Sequence, residues 1–150
     1  MNKFYCMKKV SDILKRKGHS VVSVAPQTTV IDALKLMADQ NIGSVVVMEA
    51  GSFKGIFTER DYSRKVVLKG KSSETTTVEE IMSTDFPKIT PKDTIEFCMQ
   101  ELSDKNIRYL PVFDEAGLCG VLSINDVVKE TILSQEETIS SLKDYLHTSI

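Results

Sequence analysis

The apolar positions of the chain follow one pattern twice. In each half a short β-branched strand runs into a proline, and apolar residues then recur three and four positions apart, which is typical of a helix with one buried face. These helical stripes contain Val30, Ala33, Leu34 and Met37 in the first half and Ile95, Cys98, Met99 and Leu102 in the second. The pattern predicts one core-facing helix in each half.

The same sequence pattern predicts the elements around each helix. A strand over Val21–Val24 precedes the first helix, whose N-cap is Thr28 or Thr29, and a strand over Lys88–Ile89 precedes the second, with Asp93 or Thr94 as N-cap. Two further strands and a second helix follow in each half. Their predicted strands are Ser44–Met48 and Lys54–Phe57 in the first half and Tyr109–Phe113 and Cys119–Leu122 in the second. The order is β-α-β-β-α, twice, which makes the fold class α/β (α+β).

The two halves are copies of one sequence pattern. An offset of 65 residues aligns Val21–Val67 with Phe86–Ile132 without a gap. The identical pairs are Pro26/Pro91, Thr29/Thr94, Asp39/Asp104, Asn41/Asn106, Ile42/Ile107, Val47/Val112, Gly55/Gly120 and Asp61/Asp126. We therefore predict a first repeat over residues 10–68, a linker over 69–77, a second repeat over 78–132 and a helical tail over 133–150.

A short segment leads into each repeat. "VSDILKRKG" (residues 10–18) precedes the first repeat, with Gly18 as the predicted helix C-cap, and "VEEIMS" (residues 78–83) precedes the second. The basic residues of the first segment are interpreted as the solvated face of a helix. The tail keeps helical spacing through Ile132, Ile139, Leu142 and Leu146, so we expect it to extend the last helix and to cover an apolar surface of this chain or of a second subunit.

Composition excludes several classes of protein. The chain has 150 residues, 41% of them hydrophobic and 27% charged, with a formal net charge of −2, so it offers no broad positive field for nucleic acid or an anionic membrane. Its apolar runs are too short to cross a bilayer, and the N-terminal residues lack the order of a signal peptide. We expect a cytoplasmic protein.

Cysteine and histidine are too few and too scattered for a metal centre. Cys6, Cys98 and Cys119 form no C-x-x-C pair, which disfavours both a disulfide framework and zinc, and Cys98 and Cys119 are predicted to be buried thiols. His19 and His147 lie far apart in the chain. No nucleophile and base stand in a recognisable pattern, so we predict no metal, no catalytic cofactor and no enzymatic activity.

One motif ends both repeats. "GIFTERDY" (residues 55–62) and "GVLSINDV" (residues 120–127) each carry a glycine, the end of a strand, a hydroxyl residue and an aspartate three positions later. A Ser/Thr N-cap with an acidic residue at that spacing resembles a capping box, which would be a purely structural role. A helix N-terminus with a hydroxyl is also suited to phosphate, and a nearby carboxylate can accept hydrogen bonds from a ribose diol. Both interpretations are open on local sequence alone.

The complete repeat resembles a tandem pair of CBS domains, named after cystathionine β-synthase. Each copy has P-x-x-T near its start and G-h-x-[ST]-x-x-D at its end, where h is apolar, and the resemblance covers residues from about Val10 to Ile132. It implies two units packed with pseudo-twofold symmetry into a Bateman module. It also implies clefts that bind adenosine-containing ligands such as AMP, ADP, ATP, NAD or S-adenosylmethionine.

The resemblance implies a role for particular residues. Thr58 and Asp61 would hold ribose and phosphate in one cleft, and Ser123 and Asp126 would do so in the other. Arg108, whose counterpart in the first repeat is Gly43, would reach the phosphate in the Ser123/Asp126 cleft. The predicted site also includes Tyr109, next to Arg108, and Arg60, which would reach the same cleft from the first repeat; the alternative for each arginine is a surface salt bridge.

The function implied is that of a regulatory module. It would bind an adenine nucleotide, form a homodimer and pass a signal to a protein partner that the sequence does not identify. The alternative is a scaffold or dimerisation protein whose T-x-x-D and S-x-x-D motifs only cap helices.

Overall fold

The computed structural model describes residues 8–148. Helices and strands follow the predicted order in the first repeat, and in the second repeat a single bridge stands in place of the strand before α5. The elements are α1 (Val10–Lys17), β1 (Ser23–Val24), α2 (Val30–Gln40), β2 (Ser44–Glu49), β3 (Ser52–Thr58), α3 (Glu59–Asp61), a π-helical segment (Tyr62–Val67), α4 (Val78–Ile81), α5 (Ile95–Lys105), β4 (Tyr109–Asp114), β5 (Gly117–Ser123) and α6 (Ile124–Thr148). The mixed α/β class predicted from the sequence is confirmed.

The first compact unit spans Ser20–Phe86. Its sheet has the order β1-β2-β3, in which β1 runs parallel and β3 antiparallel to β2. One face of this sheet packs on α2 and α4. The buried side chains of that core include Val30, Ala33, Met37, Val45, Val47, Phe57, Val66, Val78 and Ile81.

The second compact unit joins α1 to the chain from Pro87 onwards. β4 and β5 form an antiparallel hairpin, and Ile89 makes a single parallel bridge to Val112 where the first unit has β1. The strand predicted over Lys88–Ile89 is therefore only one bridge in length. The core of the second unit includes Val10, Leu14, Ile95, Cys98, Leu102, Leu110, Leu122 and Val127.

Helix caps explain several of the identical positions. Thr29 and Thr94 are the N-caps of α2 and α5, and each accepts a backbone N–H bond at the third helical residue. Asn41 and Asn106 end the same helices with φ values of 54° and 51°. Asparagine tolerates this left-handed conformation better than most residues, which accounts for its presence in both repeats.

Each leading helix packs on the repeat that is not next to it in the chain. α1 belongs to the second unit, where the Val10 N–H donates to the Asp93 carbonyl at 2.9 Å. α4 belongs to the first unit, where the Val78 N–H donates to the Thr28 carbonyl at 2.9 Å. The sequence order suggests the opposite association for both helices. Gly18 ends α1 with a φ of 88°, as predicted for a C-cap.

Gly55 and Gly120 allow these leading segments to approach the sheets. A Cβ built on Gly55 would lie 2.6 Å from the Ser83 carbonyl oxygen and 2.9 Å from the Met82 sulfur. A Cβ on Gly120 would lie 2.7 Å from a terminal methyl of Leu14. Packing therefore requires a glycine at position 55, where the close neighbour is backbone, whereas at Gly120 the close neighbour is a side chain that can move.

The last helix is continuous. α6 runs for 25 residues from Ile124 to Thr148, so the predicted helical tail extends the second helix of the second repeat without a break. Within the described part of the chain, none of the helices combines the length and apolar character needed to span a bilayer.

Candidate functional site

The first motif forms a reciprocal capping box. The Thr58 hydroxyl accepts the Asp61 N–H at 3.0 Å, and Asp61 Oδ2 accepts both the N–H and the hydroxyl of Thr58 at 3.0 Å. The structural interpretation of this motif is therefore correct for the first repeat. Capping alone leaves the other carboxylate oxygen, Oδ1, to be accounted for.

Oδ1 of Asp61 is occupied as well. The Ser83 hydroxyl donates to it at 2.8 Å, and the Lys65 ammonium lies 3.0 Å away. A carboxylate has about four acceptor sites, and Asp61 now has four donors. The residue is also buried, with 5% of its surface exposed. A further ligand would have to displace Ser83 or Lys65.

The second motif caps its helix but leaves its carboxylate less enclosed. The Ser123 hydroxyl accepts the Asp126 N–H at 3.1 Å, and Asp126 Oδ2 accepts the Ser123 N–H at 2.8 Å. The Lys17 ammonium also binds Oδ2, at 2.6 Å, and donates to the Val121 carbonyl at 2.7 Å. Both donors use Oδ2, so within residues 8–148 Oδ1 has no donor. The Asp126 side chain is 23% exposed.

These bonds keep Asp126 charged. Burial alone would raise its pKa, but the hydrogen bonds from Lys17 and from the Ser123 N–H stabilise the ionised form, and the pKa lies below its ordinary value. The Oδ1 atom is therefore a charged acceptor at neutral pH.

The β4–β5 hairpin brings Arg108 and Tyr109 to the same end of the second unit as this carboxylate. Tyr109 is the register partner of Ser123, and the Arg108 carbonyl accepts the Ile124 N–H at 2.8 Å. The Arg108 side chain is exposed and has no ion-pair partner among the described residues. Four predicted site residues thus share one strand-to-helix corner.

The other three predicted site residues lie in the first unit. Thr58 and Asp61 form the capping box there, and Arg60 is half-buried at α3 and already makes an interaction. The role predicted for Arg60 at the Ser123/Asp126 cleft remains a prediction. The position equivalent to Arg108 is Gly43, whose carbonyl accepts the Glu59 N–H at 3.1 Å.

Sequence reasoning missed the basic residues that fix α1 to α6. Lys17 binds Asp126, and Arg16 lies 3.2 Å from Oε2 of the buried Glu130. The second contact lacks hydrogen-bond geometry and is an ion pair only. Residues 109 positions apart, as Lys17 and Asp126 are, leave no local pattern. By contrast, Asp61 and Lys65 stand at the i, i+4 spacing of a helical ion pair, which is a recognisable signal.

The cysteines show no sign of a catalytic or metal-binding role. Cys98 is buried, and burial raises its pKa to about 12. Cys119 is only half-buried, contrary to the prediction, and burial raises its pKa too. Cys6 lies outside the described residues. Within those residues, no three His, Cys, Asp or Glu side chains are grouped so that they could hold a metal ion.

Two hollows lie beside helices, and the first of them is bordered by Glu59 and Tyr62 of the first motif. One, of about 510 Å³, lies beside α2 and is lined by Met37, Gly43, Glu59 and Tyr62 among others. The other, of about 720 Å³, is a groove between α5 and α6. Neither is lined by the hydroxyl residue or the aspartate of a motif.

The chain belongs to the CBS domain family. The family profile matches residues 10–67 and again residues 78–132. This confirms the resemblance drawn from the two motifs and identifies a protein built from two CBS domains.

The similar proteins span most of the chain. A mitochondrial CBS domain-containing protein of Arabidopsis thaliana is 36% identical over 146 residues, which cover 91% of this chain and 71% of the relative. A CBS domain-containing protein of Bacillus subtilis is 32% identical over 87% of this chain and 91% of its own length. A solved structure of a candidate signal-transduction protein with CBS domains from Burkholderia ambifaria is 40% identical, with a TM-score of 0.81, over 85% of this chain and 96% of that one. All three are CBS-domain proteins, and signal transduction is the role given for the Burkholderia protein.

Two further matches are to part of an enzyme and to a hexameric protein. A homoserine O-acetyltransferase of Methanosalsum zhilinae is 33% identical, but the match covers only 24% of that enzyme. A CBS-CP12 protein from bloom-forming cyanobacteria, 28% identical with a TM-score of 0.69, is hexameric. Oligomers therefore occur among proteins of similar fold.

Proposed function

We propose that this protein is a regulatory module that binds an adenine nucleotide at the Ser123/Asp126 corner of its second CBS domain. The observation that carries the proposal is the Oδ1 atom of Asp126, a charged acceptor without a donor within residues 8–148, on a side chain that is 23% exposed. A ribose diol supplies hydroxyl donors for such an atom. The expected ligands are AMP, ADP and ATP, with NAD as a further candidate.

The surroundings of Asp126 suit the rest of a nucleotide. Ser123 and the first turn of α6 present a hydroxyl and the positive end of a long helix, where anions are favoured. Arg108 adds a guanidinium that has no ion-pair partner within the described chain and can form charge-assisted bonds to phosphate. Tyr109 lies beside Ser123 in the hairpin. The role of Arg60 as a second phosphate ligand stays part of this proposal.

The first motif is less suited to a ligand. Asp61 has four donors and is buried, and Gly43 stands where the second repeat has Arg108. Thr58 and Asp61 would thus have to break internal bonds before they could bind ribose. We expect one nucleotide per chain to bind tightly, with the second motif as its site.

Regulation requires more than a site. A ligand shifts a protein between two conformations only if it binds one of them better than the other. We propose that the bound nucleotide biases this module and that a protein partner reads the change. A homodimeric, non-enzymatic protein in the cytoplasm remains part of the proposal.

A thermal-shift screen tests the function. AMP, ADP, ATP, NAD and S-adenosylmethionine are added separately at millimolar concentration, with inorganic phosphate as the control for a nonspecific anion effect. Binding to the native state must raise the apparent stability, by about 2.7 kcal/mol when the ligand is at a hundredfold excess over Kd. The proposal fails if none of the five raises Tm more than phosphate does.

Replacing Arg108 tests whether its guanidinium binds the phosphate of the nucleotide. We expect Arg108→Ala to weaken AMP binding about ten- to a hundredfold, because a charge-assisted hydrogen bond contributes about 1.5–3 kcal/mol. Isothermal titration calorimetry measures the change. Arg64→Ala is the matched control, since Arg64 is an exposed arginine of the first unit and lies outside the predicted site. Equal affinities for both variants would contradict the role of Arg108.

The capping boxes themselves favour the alternative function. A scaffold or dimerisation protein would keep both motifs only as helix caps, and both motifs do cap their helices. The two functions differ in outcome: a scaffold gives no stabilisation by any nucleotide, and Asp126→Ala then changes only its stability.

The absence of enzymatic activity is tested separately. The protein is incubated with the same nucleotides, and chromatography then shows whether any of them is converted.

A further inference from the structure

Lys17 fills one of the two oxygens of the Asp126 carboxylate. Its ammonium donates to Oδ2 at 2.6 Å, and the Ser123 N–H donates to the same oxygen at 2.8 Å. A carboxylate oxygen has about two acceptor sites, so Oδ2 is fully used. Oδ1 has no donor within residues 8–148. A ligand that leaves these bonds in place can therefore reach one oxygen of this carboxylate.

The first motif shows that the capping box does not need such a lysine. There the Thr58 N–H and the Thr58 hydroxyl both donate to Oδ2 of Asp61. In the second motif the N–H of Ser123 donates in the same way, but the second donor to Oδ2 is Lys17. Lys17 belongs to α1, so the residue that completes the bonding of Asp126 comes from outside the motif.

The Lys17 ammonium is held in place by more than the carboxylate. It also donates to the Val121 carbonyl at 2.7 Å. The preceding residue, Arg16, forms an ion pair with Glu130 at 3.2 Å, which fixes the same end of α1 to α6. A charge-assisted hydrogen bond is roughly twice as strong as a neutral one. A neutral ribose hydroxyl is therefore a poor competitor for the position of Lys17 on Asp126.

This arrangement limits how a ribose can bind. A carboxylate with two open oxygens can accept one hydrogen bond from each of the two neighbouring hydroxyls. The acceptor sites of a single oxygen point in different directions, whereas the two hydroxyls approach from one side of the ring. One open oxygen is thus suited to one hydroxyl.

We propose that Lys17 is a specificity-determining residue of the Ser123/Asp126 site, because it fills Oδ2 and so restricts Asp126 to one of the two ribose hydroxyls. The inference rests on the proposed function, since it concerns how that site binds the ribose. The site then also accepts adenine nucleotides that lack the other hydroxyl.

Two analogues of AMP test the wild-type chain. Isothermal titration calorimetry compares AMP with 2′-deoxy-AMP and with 3′-deoxy-AMP. One analogue should bind about as tightly as AMP. The other should bind about ten- to a hundredfold more weakly, which is the loss expected for one hydrogen bond to a charged acceptor.

Lys17→Met tests whether Lys17 is the cause. In the proposed site the Ser123 hydroxyl is directed to the phosphate, so the loss of the ammonium opens Oδ2 to the second ribose hydroxyl. The analogue that the wild type tolerates should then bind about tenfold more weakly than AMP. This ratio compares two ligands on one variant, so a general loss of positive charge or of stability does not change it.

Two further variants serve as controls. Lys17→Arg keeps a cationic donor for Oδ2 and should retain the wild-type ratio. Arg16→Met removes a positive charge and an ion pair from the same end of α1 but leaves Lys17 on Asp126, so it should also retain the ratio.

The outcomes separate this inference from the proposed function. If the wild type binds AMP but both analogues bind weakly, the ribose displaces Lys17 and the inference is wrong. It is equally wrong if neither analogue loses affinity, or if Lys17→Met leaves the ratio unchanged. If the wild type does not bind AMP, the proposed AMP site itself is wrong, and the inference falls with it.

Discussion

Replacing Asp61 by alanine should destabilise the protein by about 3 kcal/mol, since it removes a buried carboxylate and leaves several donors unsatisfied. Thr58 loses the acceptor for its N–H and its hydroxyl, and Ser83 loses the acceptor for its hydroxyl. Lys65 can return to water because its side chain is 43% exposed. The free energy of unfolding, measured by urea titration with circular dichroism, gives the effect.

Asp126→Ala is the matched control for this result. It removes the same capping interaction but leaves a more exposed site, with Lys17 as its only other donor within the described chain. We expect a loss of about 1 kcal/mol, which is typical of a lost cap. In AMP titrations the order reverses: Asp126→Ala abolishes binding, whereas Asp61→Ala retains it at temperatures where the variant is folded. Equal losses of stability at the two positions would contradict the structural importance of the four donors that Asp61 accepts.

Gly55→Ala should also be strongly destabilising, by about 2–3 kcal/mol, because the added methyl overpacks a site that cannot yield. The nearest atom, the Ser83 carbonyl oxygen at 2.6 Å, belongs to a backbone that pairs with Ile56 through hydrogen bonds in both directions. The methyl would separate Ser83 from β3 and disturb its bond to Asp61 as well. The urea midpoint measures this loss.

The equivalent change in the second repeat provides the comparison. In Gly120→Ala the added methyl meets a terminal methyl of Leu14, which can rotate away. We expect a loss of about 1 kcal/mol there. If Gly120→Ala lowers the free energy of unfolding as much as Gly55→Ala does, the loss does not depend on whether the added methyl meets backbone or a side chain.

Local patterns predicted the local structure well. The threonine caps, the helices with one buried stripe and the β-branched strands each depend on residues a few positions apart, and the structure confirms them. The three-residue spacing of Thr58 and Asp61 also predicted the capping box that the structure has. The strand over Lys88–Ile89 was overpredicted because apolar character alone does not fix how many residues a neighbouring strand can pair with.

Long-range partners could not be predicted in this way. The sequence order places α1 next to the first repeat and α4 next to the second, but the backbone bonds of Val10 and Val78 lead to the other repeat in each case. The same is true of the bond between Lys17 and Asp126. From the sequence, the arginines suggested that the two motifs differ in their capacity to bind a ligand. The structure adds a second cause, because the Ser83 hydroxyl already donates to Asp61. No local motif connects Ser83 to Asp61.

The exchange of leading helices has a consequence for synthesis on the ribosome. The unit from Ser20 to Phe86 is complete once α4 has emerged, so it can fold early. α1 emerges before that unit but packs against α6 and β5, which are made roughly 100 residues later and therefore about 5–20 s later at ordinary translation rates. Throughout that interval the apolar side chains of Val10, Ile13 and Leu14 have no native surface to cover them. α1 thus offers a chaperone a long interval in which to bind.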